Sequence, residues 1–222
     1  MDRPQTSHLI RTLRQGGAAI ALTALVLPGC ASLAGSLLTP RIDPVAATLA
    51  PGDFALDTEH AALLFRIDHL GFSDYVGRFD VFKASLSGDA ASPEAARIEA
   101  IIDMRSLNIA NPDFAAELMG PGWFDAEAHP QAIFRSRSVT QTSETTAQID
   151  GDLTLRGVTQ PILLETTLRG SAYDRLRGAD VVGFSARGEI SRAAFGIDRY
   201  SGLLTDSVRI EIEAEFIRLS PD

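Results

Sequence analysis

Apolar and polar residues alternate along most of the chain from residue 52 onward. The clearest case is the segment VRIEIEAEFIR, residues 208–218, where every second residue is apolar and most of the residues between are charged. Such a period of two is typical of antiparallel strands that bury one face and expose the other. The same alternation recurs over 97–107, 147–157, 161–170 and 181–192.

Three further segments, 62–69, 78–88 and 132–140, complete a set of about eight predicted strands. We therefore predict an all-β fold, either a closed barrel or a sandwich of antiparallel strands. An eight-stranded barrel can fill its interior with side chains or hold one small ligand. Periodicity alone does not choose between these two states.

One segment, NPDFAAELMG at 111–120, breaks the alternation and predicts a short inserted helix. Asn111 is suited to the N-cap, Pro112 to the first helical position and Gly120 to the C-cap. Phe114 and Leu118 lie four residues apart and therefore share one face of this helix. A loop containing Trp123 and Phe124 follows, and these two rings either plug one end of the fold or form a mouth over a ligand.

The first 51 residues differ from the rest of the chain. Three arginines up to Arg14 precede an uncharged run over 15–40, the order that is typical of a secretory signal peptide. The segment LPGC, ending at Cys30, resembles the lipobox of bacterial lipoproteins. We predict a lipoprotein-type signal peptide over 1–29, a tether over 30–51 and a folded domain over 52–222.

Two alternatives for the N-terminal segment stay open: cleavage to a soluble exported protein, and an uncleaved helix, for which the 26-residue uncharged run is long enough. All three alternatives export the domain. We therefore expect a protein that faces the periplasm and is held at a membrane by lipid on Cys30. The sequence leaves the formation of a homodimer open.

Composition argues against several classes of function. The net charge is −9 and Lys83 is the single lysine, so we expect no nucleic-acid partner. Cys30, the single cysteine, cannot form an internal disulfide. The domain's histidines, His60, His69 and His129, are too scattered to predict a metal site, and the common hydrolase and phosphate-loop motifs are absent. We expect no cofactor, no metal and no catalytic residues.

Aromatic residues are concentrated in HLGFSDYVGRFDVF at 69–82, which contains Phe72, Tyr75, Phe79 and Phe82. Strict alternation would place Phe79 and Phe82 on opposite faces, so we expect that not all four rings point inward. The rings either fill an ordinary core or line a space for a ligand.

Four segments in order resemble the YceI-like family. They are FALDTEHAALLFRIDHLGFSDYVGRF at 54–79, GWFDAEAHPQAIFRS at 122–136, GDLTLRGVTQPILLE at 151–165 and ISRAAFGID at 190–198. The resemblance implies an extended lipocalin-like barrel in an exported protein. It also implies an internal tunnel for an amphipathic lipid of isoprenoid or fatty type.

The resemblance suggests which residues lie near such a lipid. We predict a ligand-binding set of Phe65, His69, Phe72, Tyr75, Phe79, Met119, Trp123, Phe124, Phe134, Arg192 and Phe195. Arg78 or Arg192 would either hold a polar head group or pair with a carboxylate. In the family this helix often carries an Asp-x-His-Leu run, whereas here Glu117 and Met119 occupy that region without a histidine. An acid there favours a neutral head group such as a quinone or an amide.

We therefore expect a binding protein that sequesters or transports an isoprenoid-type or fatty lipid. One alternative is an enzyme acting on such a lipid, with Glu117 and His129 as its acid–base pair. The other is a structural envelope protein whose barrel is filled.

Overall fold

The structure is a computed structural model that describes residues 39–42, 51–89 and 92–220. The predicted signal peptide, Cys30 and most of the predicted tether lie outside the described residues. Among the residues that are described, no helix has the length and apolarity needed to cross a membrane.

Strands dominate the described part of the chain. They are β1 (Gly52–Leu56), β2 (Ala62–His69), β3 (Ser73–Phe79), β4 (Phe82–Asp89), β5 (Ser92–Asp103), β6 (Leu107–Asn108), β7 (Gln131–Gln141), β8 (Thr146–Leu155), β9 (Val158–Asp174), β10 (Ala179–Ser191) and β11 (Ser207–Arg218). Helix α1 (Pro112–Leu118) lies between β6 and β7, and three short 3-10 turns interrupt the remaining connections.

Pairing closes these strands into a barrel. β1 and β2 both pair with β11. On their other side, β1 pairs with β4 and β2 pairs with β3. β4 in turn pairs with β5, and β3 pairs with β6, so the three couples are β1 with β2, β3 with β4, and β5 with β6. Each of these three couples is thus one long interrupted strand, and the barrel contains eight antiparallel strands in chain order. The ring closes where Phe54 lies opposite Arg218 and Ile67 opposite Val208. The predicted eight-stranded, lipocalin-like barrel with one inserted helix is confirmed.

The two ends of the barrel differ. One end, called here the helix end, carries the β2–β3 turn, α1, the β8–β9 turn and the β10–β11 loop. The opposite end, called the hairpin end, carries the β4–β5, β7–β8 and β9–β10 turns. A large apolar cluster that includes Met104, Leu118 and Phe195 packs at the helix end, and a smaller one around Phe54, Val182 and Phe216 packs near the hairpin end.

The alternating pattern decides which residues enter the barrel. Along β11 the apolar residues Ala214 and Phe216 are buried, whereas Glu211 on the outer face pairs with Arg66 at 3.1 Å. Outer pairs of this kind are partly exposed and each contributes about 0–1 kcal/mol. Burial of the inward apolar face, rather than these ion pairs, therefore stabilises the barrel.

The break between β3 and β4 corrects one expectation. The N–H of Asp80 donates to the carbonyl of Ser106 at 3.1 Å, and the N–H of Val81 donates to the Ser106 hydroxyl at 3.0 Å. These two residues form an irregularity that resets the alternation by one residue. Val81 is exposed, and Phe79 and Phe82 both face the interior, although strict alternation had placed them on opposite faces.

Helix α1 follows from its capping signals. The Asn111 side chain accepts hydrogen bonds from the backbone N–H groups of Asp113 and Phe114, both at 3.1 Å, and Pro112 occupies the first turn. The helix ends at Leu118 with Met119 as its C-cap, one residue before the predicted Gly120. Phe114 and Leu118 both face the barrel interior, as their spacing predicts.

Candidate functional site

An apolar cavity of about 660 Å³ runs through the barrel. Its lining consists mainly of the inward-facing side chains of the strands, joined by side chains of α1 and of the loops at both ends. The lining reaches Leu70 and Leu203 at the helix end, and Asp89 and Glu144 at the hairpin end. Ligand-binding cavities are typically about 300–1,000 Å³ in volume and mostly apolar, with few polar groups.

Small side chains keep the barrel from filling itself. Ala84 of β4 lies directly opposite Ala100 of β5, and both line the cavity. An eight-stranded barrel is just wide enough for larger inward side chains to meet across it. A pair of alanines at this level therefore leaves open volume where leucines would close it.

Two glycines let aromatic rings lie against the wall instead of crossing the interior. A Cβ atom at Gly77 would be 2.3 Å from Cζ of Phe65, and one at Gly151 would be 2.3 Å from Cε2 of Phe134. Each ring therefore occupies the space that a side chain would take at the glycine. Phe65 lies directly opposite Gly77 in the β2–β3 ladder.

A connected set of aromatic rings surrounds the cavity at the helix end. The centroid of Phe79 lies 5.9 Å from those of both Phe65 and Phe124. Phe114 contacts Tyr75 and Trp123 edge to face, with centroids 5.7 and 6.1 Å apart. Such geometries add favourable energy beyond the burial of area. The segment 69–82 thus supplies Tyr75, Phe79 and Phe82 to the lining.

Most of the predicted ligand-binding residues come together in this cavity. Its lining contains Phe65, His69, Tyr75, Phe79, Trp123, Phe124, Phe134 and Arg192. Trp123 is only 6% exposed and packs in the core of the helix end, so it forms part of the cavity wall there and not an exposed lip. Binding of a ligand by these side chains stays a prediction.

Three predicted residues do not line the cavity. Phe72 is 85% exposed, because its ring lies at the tip of the β2–β3 turn. Met119 caps α1 and lines a small open depression with Arg105 and Pro130. Phe195 is 1% exposed and is packed within the core rather than at the cavity wall.

Sequence reasoning missed other parts of the lining. Phe82 enters it only because of the β3–β4 irregularity, and Tyr200 and Leu203 enter from the β10–β11 loop. Phe114 could have been included, since the apolar face of α1 was already evident. No periodic signal in the loop would have found Tyr200 or Leu203.

Arg192 lines the cavity and also organises the β10–β11 loop. It is 5% exposed, and its guanidinium donates to the backbone carbonyls of Ile197, Arg199, Thr205 and Leu204 at 2.8, 2.8, 2.9 and 3.2 Å. Its hydrogen bonds thus go to loop carbonyls, whereas the sequence had predicted either a ligand head group or a carboxylate as its partner.

Hydrogen bonds from the Ser191 side chain and the Ala193 N–H, and the charge of Arg192, hold the pKa of Asp206 below its usual value.

Other charged residues of the predicted site lie away from the cavity. Arg78 pairs with Asp80 at 2.5 Å, as the carboxylate alternative predicted. Glu117 accepts a hydrogen bond from the Trp123 indole at 3.4 Å and lies 3.7 Å from Arg199. Glu117 does not line the cavity, so its charge gives no structural reason to favour a neutral head group.

The proposed acid–base pair is not assembled. The ring of His129 packs against Gly157, on the β8–β9 turn, whereas Glu117 contacts Trp123 and Arg199. Neither residue lines the cavity. The enzyme alternative therefore loses the pair on which it depended.

One cluster outside the cavity has potential metal ligands. Ligand atoms of Asp57, His60 and Glu215 lie within 4.8 Å of one another. The guanidinium of Arg177 already contacts Asp57 at 3.0 Å and Glu215 at 2.9 Å, so we interpret the cluster as an ion-pair network. Burial alone raises the pKa of Asp57, but hydrogen bonds from His60 and the Glu59 N–H, with the charges of His60 and Arg177, lower it overall.

Comparison with known proteins agrees with this architecture. The model of the YceI-like domain family matches residues 54–216. A UPF0312 protein of Ectopseudomonas mendocina is 32% identical over 200 residues, covering 89% of this chain and 97% of that protein. The crystal structure of the Campylobacter jejuni YCEI protein superposes with a TM-score of 0.63 at 27% identity, covering 69% of this chain and 91% of the other.

A second solved structure, described as a polyisoprenoid binding domain from Saccharophagus degradans, shares the fold. Its TM-score is 0.55 at 15% identity, and the match covers 75% of this chain and 98% of that domain. The family model spans nearly the whole barrel, from β1 to β11. The chain therefore belongs to the YceI-like family.

Proposed function

We propose that this protein binds an amphipathic lipid of isoprenoid or fatty type inside the barrel, and sequesters or transports it. The observation that carries the proposal is the apolar cavity of about 660 Å³. The polyisoprenoid binding described for the Saccharophagus degradans domain supports the choice of ligand class.

The lining can supply the energy that such a ligand requires. Burial of apolar surface contributes about 0.8 kcal/mol per methylene group, so ten enclosed methylenes contribute roughly 8 kcal/mol before losses. Lost translational and conformational freedom offsets a large part of this gain. A lipid tail of about ten methylene groups is therefore long enough for useful affinity. Binding of such a tail does not require an acid–base pair.

The proposal includes export and anchoring. The N-terminal pattern and the lipobox-like LPGC segment support a lipoprotein held in the periplasm through Cys30. A tether would keep the barrel near the bilayer from which an apolar ligand comes. The filled-barrel alternative predicts an interior packed with side chains, and the open cavity argues against it.

The test is native mass spectrometry of the full chain, purified without detergent from a host that exports it, followed by solvent extraction. We expect a stoichiometric excess mass of several hundred daltons, identified as a lipid. Ala84→Phe, which fills the cavity, should remove this mass. Ser85→Phe places the same side chain on the exposed face of β4 and should retain it.

A bare wild-type protein would count against the proposal if it also failed to take up quinones, polyprenyl phosphates and fatty amides. Retention of the excess mass in Ala84→Phe would show that the lipid binds outside the cavity.

A further inference from the structure

Two neighbouring loops at the helix end expose large apolar side chains. The β2–β3 turn exposes Leu70 and Phe72, and the β10–β11 loop exposes Tyr200 and Leu203. The side chain of Leu203 is 64% exposed. We call these four residues the mouth rim. The loops are neighbours because β2 ends beside the start of β11, where Ile67 lies opposite Val208. Single exposed apolar residues are ordinary, but a cluster of them marks an interaction surface.

The mouth rim is continuous with the cavity. Leu70, Tyr200 and Leu203 are exposed to solvent and also contribute to the cavity lining. An apolar path therefore leads from the outer surface into the barrel at this end. Phe72 extends the path outward, since its ring is exposed and does not line the cavity.

The backbone holds the rim in an unfavourable conformation. Leu70 and Tyr200 both have φ of 57°, in the left-handed region that bulky residues rarely adopt. The N–H of Gly71 donates to the Asp68 carboxylate at 2.9 Å, and Arg192 holds the carbonyls of Arg199 and Leu204. Strain that the surrounding structure maintains is concentrated at functional sites. The conformation of the rim is therefore fixed by hydrogen bonds to the surrounding structure.

The rim itself carries no charged side chain. Residues 70–72 and 200–204 contain no ionisable side chain other than the tyrosine phenol. Of the flanking charges, Asp74 pairs with Arg209 and Arg199 lies near Glu117. An uncharged tip with aromatic and leucine side chains suits the interface of a neutral bilayer, where such groups bury their apolar parts.

We propose that the mouth rim docks on the surface of a neutral phospholipid bilayer, so that the ligand passes directly between the bilayer and the cavity. This inference rests on the proposed function, because it assumes a lipid cargo. A long apolar ligand is sparingly soluble in water, and a continuous apolar path removes the need for it to cross water.

Phe72 gives the cleanest test, because it belongs to the rim but not to the cavity. The full chain would be compared with its Phe72→Ser and Phe72→Trp variants. Leu176→Ser is the matched control, since Leu176 is 73% exposed on the β9–β10 turn at the hairpin end. Two quantities would be measured: the rate of transfer of a pyrene-labelled fatty alcohol from phosphatidylcholine vesicles, and the affinity for the same probe added from ethanol without vesicles.

We expect Phe72→Ser to slow transfer from vesicles by about tenfold, the loss expected when one large apolar side chain no longer enters the interface. Its affinity for the probe added from ethanol should equal that of the wild type. Phe72→Trp should transfer at the wild-type rate or faster, and Leu176→Ser should be unaffected. The wild-type rate should rise with vesicle concentration and change little with salt, because the rim is uncharged.

A wild-type transfer rate in Phe72→Ser, with binding from ethanol intact, would overturn docking and leave the proposed function standing. A rate independent of vesicle concentration would do the same, because it would indicate diffusion of the ligand through water or a requirement for a protein partner. If the wild type took up the probe from neither source, the proposed function would fail and docking with it.

Discussion

Replacing Gly77 by alanine should destabilise the barrel, because the ring of Phe65 occupies the space that the new methyl group needs. A Cβ at Gly77 would be 2.3 Å from Cζ and 2.5 Å from Cε1 of Phe65, and 2.8 Å from Cγ2 of Ile109. Carbon atoms in contact are normally about 3.5–4.0 Å apart, so the ring must move by roughly 1.2–1.7 Å.

The free energy of unfolding should fall by about 1–2 kcal/mol. Overpacking of this kind costs about 1–3 kcal/mol, and alanine recovers about 0.5–1 kcal/mol because it restricts the unfolded chain more than glycine does. The ring has little room along the wall, since Phe79 and Phe124 lie 5.9 and 6.5 Å from its centroid. It must therefore move toward the cavity, which would shrink.

Equilibrium unfolding in urea would measure the effect on Gly77→Ala, Phe65→Leu and the double variant. The smaller leucine should relieve the clash, so the double variant should lose less stability than the sum of the single changes, with a coupling of about 1 kcal/mol. Gly183→Ala is the control, because the nearest atom to its new Cβ would be 3.5 Å away, an ordinary contact.

Two results would refute the reasoning. One is a Gly77→Ala variant that is as stable as Gly183→Ala. The other is strict additivity with Phe65→Leu, which would mean that the ring does not hold the space at the glycine.

Three further substitutions have defined outcomes. Arg177→Met should lower stability by about 1–2 kcal/mol at neutral pH, because it removes the cation beside Asp57. Burial raises the pKa of Asp57, but hydrogen bonds from His60 and the Glu59 N–H, and then the charges of His60 and Arg177, lower it below its ordinary 3.8 in the folded state. The share of this stabilisation that comes from Arg177 is present above that pH and is lost as the pH falls through the folded value, so unfolding followed against pH measures it. Arg192→Met leaves four loop carbonyls without their donor and should cost roughly 3 kcal/mol, with faster amide exchange in the β10–β11 loop. Thr166→Val should be neutral or stabilise by about 1 kcal/mol in thermal unfolding, since the Thr166 hydroxyl is buried without a hydrogen-bond partner among the described residues.

Each of these outcomes can be contradicted. A difference for Arg177→Met that persists unchanged after Asp57 is protonated in the folded state would assign its effect to packing and not to the charge pair. Unchanged amide exchange in Arg192→Met would show that the loop is held by other contacts. A loss of more than about 1 kcal/mol in Thr166→Val would mean that the hydroxyl has a partner, such as bound water.

Local sequence was sufficient for much of the fold. The alternation in 208–218 depends only on neighbouring positions along one strand, and it correctly predicts which side chains of β11 enter the barrel. The capping residues of α1 act within a single turn, so Asn111 and Pro112 locate the start of the helix. The same local logic failed at Phe82, because the irregularity before it depends on Ser106, which is 25 residues from Val81 in the chain.

The sequence by itself determined most of the strands and of their inward faces, the inserted helix and the resemblance to a lipid-binding family, because these follow from periodicity, capping and contiguous motifs. Only the tertiary structure decided that the interior stays open, since that depends on Ala84 facing Ala100 and on Phe65 lying against Gly77, across strands. It also decided that Glu117 turns to Arg199 and that Arg192 binds loop carbonyls. The physical reason is that a side chain's partner is chosen by distance in space, which barrel closure sets and local sequence does not encode.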